Sequence, residues 1–213
     1  MNKEELYSRL DELSWTDSIL DALDASQWRF WRRKKQLNEA QMFPLVQEYI
    51  ELRSKESETK IRENAYELLG KLLRRTMEPE YCQYLIDCLA KESNKDVLHT
   101  ILGCLTRLHL PSDMNIANIV ACSRSDAWQV RHNAIMALWS SDTDISREAV
   151  RYWVKQEDEK QYKFELVYAQ GVLGYIGEAC DIELLERHTH SRIRDVKDSA
   201  RFAINYIRIR LCC

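Results

Sequence analysis

The sequence predicts an all-α fold, a right-handed superhelix of five to six stacked helix pairs that forms one domain over residues 1–213. Three observations support this. The chain has only 5 glycines and 3 prolines, too few for a loop-rich or all-β protein. Its apolar residues recur with the period of an α-helix. A similar helical segment also returns about every 34 residues.

The repeat is visible in five ten-residue segments that align without gaps. These segments are 61–70, 97–106, 130–139, 165–174 and 196–205. Their first, fifth, eighth and ninth positions hold apolar or small residues, with Glu165 as the exception. At about 100° per residue these positions lie on one arc of a helix. We therefore expect them to be buried, Ala134 and Leu138 among them.

A second amphipathic segment precedes each of these helices. These first helices are predicted at 43–52, 79–90, 115–123, 147–154 and 181–188. One helix pair per repeat is the signature of an α-solenoid, in which each pair buries its apolar faces against its neighbours. We expect the repeats to occupy residues 40–211 and N-terminal capping helices to occupy residues 1–39.

Two segments share a recognisable pattern, V-R-x-x-A-x-x-A-L at 130–138 and I-R-x-x-A-x-x-L-L at 61–69. Over about residues 40–210 the chain resembles the HEAT and HEAT-like repeat proteins. In that family a basic residue after the first apolar position pairs with an acidic residue of the preceding turn. The resemblance implies this arrangement for basic Arg62, Arg131 and Lys197 and for acidic Asp96 and Asp195. Leu98 and Leu166 depart from the pattern.

The stretch QWRFWRRKKQL at 27–37 holds five basic and three aromatic residues. On a helical wheel the apolar and basic side chains fall on opposite faces, as in an amphipathic helix. We interpret it as a capping helix whose basic outer side is balanced by the acidic residues 1–26. The alternative is a phosphate-binding patch, with Arg29, Arg32 and Arg33 as the candidate residues.

The sequence contains no pattern that indicates catalysis or a metal or cofactor site. Its histidines lack zinc-ligand spacing, and no Gly-rich phosphate loop or nucleophile motif is present. We expect His188 and His190 to be an exposed pair at a helix end, and the D-T-D sequence at 142–144 to cap a helix. We therefore predict no catalytic residue, no metal and no cofactor.

Charge and cysteine content indicate the environment of the protein. The net charge of −3 disfavours a dedicated nucleic-acid-binding protein, which usually carries a basic excess. Seven scattered cysteines suit reduced thiols in the cytoplasm. The N-terminus lacks an apolar signal region, and no apolar run approaches the length of a membrane span. We expect a cytoplasmic protein without membrane contact.

The third, seventh and tenth positions of each segment are predicted to face away from the buried arc. In the later repeats they hold Met136, Trp139, Val167 and Phe202, with His132 beside them. The same face is predicted to carry Gly70, Gly103, Gly171 and Gly174. Exposed apolar residues that recur across repeats favour an interaction surface. We predict that this surface binds a protein partner, with Trp139 as the anchor; the alternative is that repeat stacking or a dimer contact buries it.

These observations predict a non-catalytic binding or scaffold protein, such as an adaptor or an immunity-type inhibitor of a toxin or enzyme. The alternative is nucleic-acid binding or DNA-base repair. Alkylbase DNA glycosylases resemble this class of fold and use Trp and Asp on a basic concave face, and the chain has Trp128 beside Asp126. A basic concave surface would favour the second function, and an apolar groove would favour the first.

Overall fold

The computed structural model describes residues 1–12, 19–20, 38–53 and 55–212. Within these ranges the chain forms α-helices and short 3-10 turns and contains no strand. The helices are α1 (Lys3–Asp11), α2 (Glu39–Leu52), α3 (Thr59–Thr76), α4 (Pro79–Cys88), α5 (Lys95–Leu105), α6 (Ala117–Cys122), α7 (Trp128–Ala137), α8 (Asp144–Val154), α9 (Lys163–Ile176), α10 (Asp181–Glu186) and α11 (Arg194–Leu211). The stretch 27–37, with Arg29, Arg32 and Arg33, lies outside the described residues. The basic capping helix and the phosphate patch therefore stay predictions.

The helices group into two compact units, Met1–Cys104 and Leu105–Cys213. In the first unit α3 packs against α1, α2 and α4. In the second unit α9 packs against α7, α8 and α11. Each unit is built from helix pairs, and the prediction that the whole chain forms one domain stays a prediction.

The predicted helix pairs are confirmed. The five aligned segments correspond to α3, α5, α7, α9 and α11, and the preceding amphipathic segments correspond to α2, α4, α6, α8 and α10, with differences of a few residues at the helix ends. We refer to these two sets as the second helices and the first helices. The predicted inward positions are buried in all five second helices, apart from the partly exposed Ile61. Glu165, the polar exception in the alignment, is buried as well, at 3% exposure.

Polar side chains cap the N-terminal ends of several helices. Asn38 caps α2 and forms a capping box with Gln41, which satisfies two backbone N–H groups at the helix start. Thr143 caps α8 by accepting a hydrogen bond from the backbone N–H of Ser146 at 3.3 Å. The interpretation of residues 142–144 as a helix cap is therefore confirmed.

Two glycines lie inside the protein, although the sequence predicted them on the outer face. A Cβ atom on Gly70 would lie 2.5 Å from the Sγ atom of Cys104, and one on Gly174 would lie 3.3 Å from the Cα atom of Ala203. The prediction was wrong because the tenth position of these helices faces the next second helix. Glycine lets the two backbones approach closely there.

The glycines of α3 and α5 provide a matched test of this packing. We expect Gly70→Ala to lower the free energy of unfolding, because overpacking costs about 1–3 kcal/mol and the clash involves the Cβ atom of Cys104 at 2.6 Å. A Cβ on Gly103 would meet no described heavy atom within 4 Å. Gly103→Ala should therefore raise the free energy by about 0.5–1 kcal/mol through its better helix propensity. Denaturant unfolding measures both, and changes of equal sign and size would contradict the packing.

Among the described helices, none combines the length and apolar content that a membrane span requires.

Candidate functional site

A continuous line of aromatic rings crosses the second helices of the second unit. We call this line the aromatic row, and it consists of His109, Trp139, Tyr175, Tyr206 and Phe202. Successive ring centroids are separated by 5.7, 5.4, 4.9 and 5.5 Å in that order. These spacings are typical of edge-to-face and offset aromatic contacts. The row thus connects the end of α7 with α9 and α11.

Three rings of the row were missed in the sequence: His109, Tyr175 and Tyr206. Tyr175 and Tyr206 both occupy the eleventh position of their repeats, one residue beyond the aligned segments. Phe202 occupies the seventh position. At about 100° per residue the seventh and eleventh positions lie only about 40° apart on a helix. A longer alignment would have shown that these residues share one face.

Trp139 has a different environment from the one predicted for an exposed anchor. It lies in the 3-10 turn Leu138–Ser140 that follows α7. Its indole N–H donates a hydrogen bond to the carbonyl oxygen of Thr106 at 2.6 Å, and its side chain is partly buried. Tyr175 and Phe202 are more exposed, at 43% and 48%. The hydrogen bond therefore holds the indole of Trp139 in place, and Tyr175 and Phe202 are the rings accessible to a partner.

A cavity of about 410 Å³ opens beside the row. Its lining includes three of the predicted residues, Met136, Trp139 and Val167, together with Gly171 and Tyr175. Gly171 forms part of the lining without a side chain of its own. The structure thus brings these three predicted residues to one cavity and places Phe202 in the row beyond it.

His132, the remaining predicted residue, lies in a separate group of rings. We call this group the His132 cluster, and it consists of His132, Trp128, Phe164 and Tyr168. The imidazole is 5.5, 5.9 and 5.1 Å from the other three rings, respectively. A second cavity of about 450 Å³ lies here, and Tyr168 borders both cavities. The sequence analysis missed Phe164 and noted Trp128 only beside Asp126, because both residues precede the aligned segments.

An ion pair between Arg131 and the buried Glu165 contacts the His132 cluster through the imidazole of His132. Arg131 donates from Nε to Glu165 Oε1 at 2.8 Å, and His132 Nε2 lies 3.1 Å from the same oxygen. Burial disfavours the charged carboxylate, but the hydrogen bonds from Arg131 and His132 outweigh it and hold the pKa of Glu165 below its usual value. The charge-assisted hydrogen bonds to Glu165 therefore fix the position of the His132 imidazole within the cluster.

The ion pairs of Arg62 and Arg131 differ from the pattern of the HEAT-like family. Arg131 and Arg62 bind carboxylates 34 and 30 residues further along the chain, Glu165 and Glu92. The acidic partner thus belongs to the next repeat, whereas the resemblance implied a partner in the preceding turn. The preceding turn contributes backbone carbonyl groups, such as that of Ser125 at 2.7 Å from Arg131. A carbonyl oxygen satisfies a guanidinium donor there without a second buried charge.

The described residues contain one group with the spacing of metal ligands, Glu178, Cys180 and Asp181. The guanidinium of Arg151 donates to all three, at 2.9 Å to Glu178, 3.5 Å to Cys180 and 2.6 Å to Asp181. The positive charge of Arg151 thus lies where a bound cation would be. This group is a structural ion cluster that joins α8 to α10.

The two histidines near the C-terminus do not form the exposed pair that the sequence predicted. His190 is exposed, but His188 is only 5% exposed. That prediction was wrong for His188 because its partners come from residues 154–159, about one repeat earlier in the chain.

Comparison with known proteins supports the fold. No family model and no curated protein matches the chain. A designed armadillo repeat protein is 14% identical, with 96% of this chain and 94% of that chain covered and a TM-score of 0.57. An engineered protein from a structural genomics programme is also 14% identical, with coverages of 81% and 85% and a TM-score of 0.48. The chain is an all-α solenoid of the HEAT and armadillo type. At this identity the likeness concerns the fold alone.

Proposed function

We propose that this solenoid is a non-catalytic binding protein, an adaptor or inhibitor, that holds an extended segment of a partner protein on the aromatic row. The observation that carries the proposal is the row itself, with two accessible rings, Tyr175 and Phe202, next to an apolar cavity. Large aromatic side chains contribute most to the affinity of protein interfaces. A soluble protein without a partner rarely exposes such a continuous apolar surface.

The shape of the surface favours a chain segment over a small molecule. The row runs across successive second helices, whose axes are typically 8–10 Å apart in packed helices. Two polar groups at the cavity are already engaged, since Ser199 donates to the carbonyl of Val167 at 3.0 Å and Trp139 donates to the carbonyl of Thr106. Small-molecule sites usually contain several free polar groups that orient the ligand. We infer that one side chain of the segment enters the cavity.

Two basic residues at the N-terminal ends of α9 and α11, helices that carry rings of the row, are paired within the protein. Lys163 lies 2.6 Å from Asp195, and Arg194 lies 3.3 Å from Asp198. Nucleic-acid binding depends on several basic groups that contact phosphates. The paired side chains are less available for phosphate contacts, which favours a protein segment, and the candidate phosphate-binding residues Arg29, Arg32 and Arg33 lie outside the described residues.

The proposal includes a cytoplasmic location. The described cysteines are free, three of them buried. Burial raises the pKa of Cys82 to about 11 and also raises the pKa of Cys122. These thiols are thus held protonated and unreactive, as suits structural cysteines in a reducing compartment.

Peptide display followed by calorimetry tests the proposal. Peptides selected on the wild-type protein should bind the Tyr175→Ser, Phe202→Ser double variant at least about 30-fold more weakly, which corresponds to about 2 kcal/mol. Tyr152→Ser is the matched control, because Tyr152 is 40% exposed but lies on the first helix α8. It should leave the affinity unchanged, and thermal melts should show that all variants fold.

Three outcomes would contradict the proposed function. Equal affinities of the wild-type protein and the double variant would reject the row as the binding surface. Association of the wild-type protein into a dimer that Phe202→Ser dissolves would show that a second copy covers the row. Binding of duplex DNA below about 1 μM at about 150 mM salt would favour the nucleic-acid alternative.

A further inference from the structure

A polar cavity of about 400 Å³ lies between the end of α10 and one face of α11. Its polar lining residues are Glu186, Thr189 and His190 from the α10 side and Arg201, Asn205 and Arg208 from α11. The three residues of α11 follow one another at intervals of four and three positions. They therefore lie on the same face of the helix, and their side chains meet in the cavity.

Arg201 occupies a position that is buried in the other repeats. The sixth residue of the aligned segments is buried in the first four second helices, where it is Tyr66, Leu102, Ile135 and Gln170. In α11 the sixth residue is Arg201, and its side chain is exposed. This side chain forms no hydrogen bond or ion pair with any described residue. Its guanidinium is therefore available to a ligand.

The cavity offers more hydrogen-bond donors than acceptors. Arg208 lies 3.5 Å from the carboxylate of Glu186, and both side chains are more than half exposed, at 60% and 55%. Such a long, exposed pair is weak. The amide of Asn205 and the ring of His190 provide further N–H groups. The hydroxyl of Thr189 is already engaged, because it donates to the carbonyl oxygen of Glu186 at 2.9 Å.

Positive charge is concentrated in this part of the chain. Residues 186–210 contain seven arginine and lysine side chains and three acidic ones, a net charge of +4, whereas the whole chain carries −3. Guanidinium groups match the oxygen geometry of carboxylates and phosphates. A phosphate monoester carries a charge of about −1.5 to −2 at neutral pH and has three acceptor oxygens. Two arginines with additional donors therefore suit a phosphate better than a singly charged carboxylate.

We propose that this cavity binds one phosphate monoester group. Arg201 and Arg208 donate to the phosphate oxygens, and Asn205 and His190 supply further hydrogen bonds. The phosphate displaces the carboxylate of Glu186 from Arg208. A single phosphate group needs only these few contacts, whereas nucleic-acid binding depends on several successive ones. The group belongs either to a free phosphorylated small molecule or to a phosphorylated side chain of a protein.

The phosphate site does not rest on the proposed binding function of the aromatic row. On α11, Arg201 and Arg208 lie about 130° around the helix axis from Phe202 and Tyr206 of the row, at about 100° per residue. The two surfaces therefore use different faces of this helix. Loss of phosphate binding should leave peptide binding on the row unchanged, and the reverse should also hold.

An NMR titration of the full chain with ¹⁵N-labelled arginine tests the site. The probes are inorganic phosphate and N-acetyl-phosphoserine amide at constant ionic strength, with N-acetyl-serine amide as the uncharged control. We expect the Nε–H signals of Arg201 and Arg208 to shift saturably with both phosphates and to stay in place with the control. Tighter binding of the phosphoserine compound would identify a phosphorylated protein side chain as the natural ligand, and equal or weaker binding would identify a small molecule.

Four variants at exposed positions distinguish a specific site from general attraction to a basic surface. Arg201→Gln and Arg208→Gln should each weaken phosphate binding at least about fivefold, because each removes a charge-assisted hydrogen bond. Arg194→Gln is the matched control, since Arg194 lies on the same face of α11 but does not line the cavity. It should leave the affinity unchanged. Glu186→Gln should strengthen binding about twofold to fivefold, because the competing carboxylate is removed.

The proposal would be overturned by any of three results. The first is the absence of saturable shifts in the wild-type protein. The second is equal weakening by Arg194→Gln and Arg201→Gln, which would show that the phosphate responds only to net charge. The third is unchanged or weaker binding by Glu186→Gln. Thermal melts of all variants show that these comparisons are made on folded proteins.

Discussion

Arg131→Met is expected to lower the free energy of unfolding by about 3–5 kcal/mol, as the loss of one partner of a buried ion pair does. Glu165 is 3% exposed and receives its shortest contact from Arg131 at 2.6 Å. Without Arg131, the buried carboxylate would keep only the imidazole of His132 as a side-chain donor among the described residues. The variant must therefore bury a charge with little compensation or take up a proton.

Two control variants separate this effect from a general loss of a surface charge. Arg194→Met should change the stability by no more than about 0.5 kcal/mol, because its pair with Asp198 is exposed. The double variant Arg131→Met, Glu165→Met should recover much of the lost stability, since apolar pairs often replace buried ion pairs at little cost. A loss below about 1 kcal/mol for Arg131→Met alone would show that the pair behaves as a surface ion pair.

Leu138→Ala should cost about 2–5 kcal/mol, the usual range for a buried leucine. Leu138 is fully buried, and it occupies the ninth position of its repeat. Glu63→Ala serves as the control at the third position, where Glu63 is partly exposed and pairs with Lys60 at 2.7 Å. This change should remain within about 0.5 kcal/mol. Equal effects of the two changes in denaturant unfolding would contradict the assignment of inward and outward positions.

The sequence was sufficient to predict the helix pairs because burial of one helical face leaves a regular apolar pattern. Even the exception in that pattern is informative. Glu165 stands at an inward position and is buried there, since Arg131 of the preceding repeat neutralises it. A pattern within one helix cannot show such a partner, which lies 34 residues away. The partners of His188 and Gly70 were missed for the same reason.

The candidate site was predicted only in part. Met136, Trp139 and Val167 do line one cavity, but the orientation of Trp139 was not foreseen. The chain changes from an α-helix to a 3-10 turn at Leu138, and a 3-10 turn advances about 120° per residue instead of 100°. The helical wheel therefore no longer applies at Trp139. The residue pattern gives no signal of this change.

The central claim, that a protein segment occupies the cavity beside the aromatic row, is tested most directly by a change that fills the cavity from the protein side. Gly171 lines this cavity, and a Cβ atom on it would meet no described heavy atom within 4 Å. Leucine at this position can therefore project into the cavity. The fold should be retained or stabilised, because glycine in a helix costs about 1 kcal/mol relative to a better helix former.

Gly103→Leu is the matched control, since Gly103 occupies the same seventh position on α5 with equally open surroundings. The measurement is the affinity of a display-selected peptide for the wild-type protein, Gly171→Leu and Gly103→Leu, determined by calorimetry on variants that melt at or above the wild-type temperature. We predict that Gly171→Leu weakens binding at least about tenfold, or about 1.4 kcal/mol, and that Gly103→Leu binds as the wild-type protein does. A Gly171→Leu variant that binds the peptide with wild-type affinity would contradict the account.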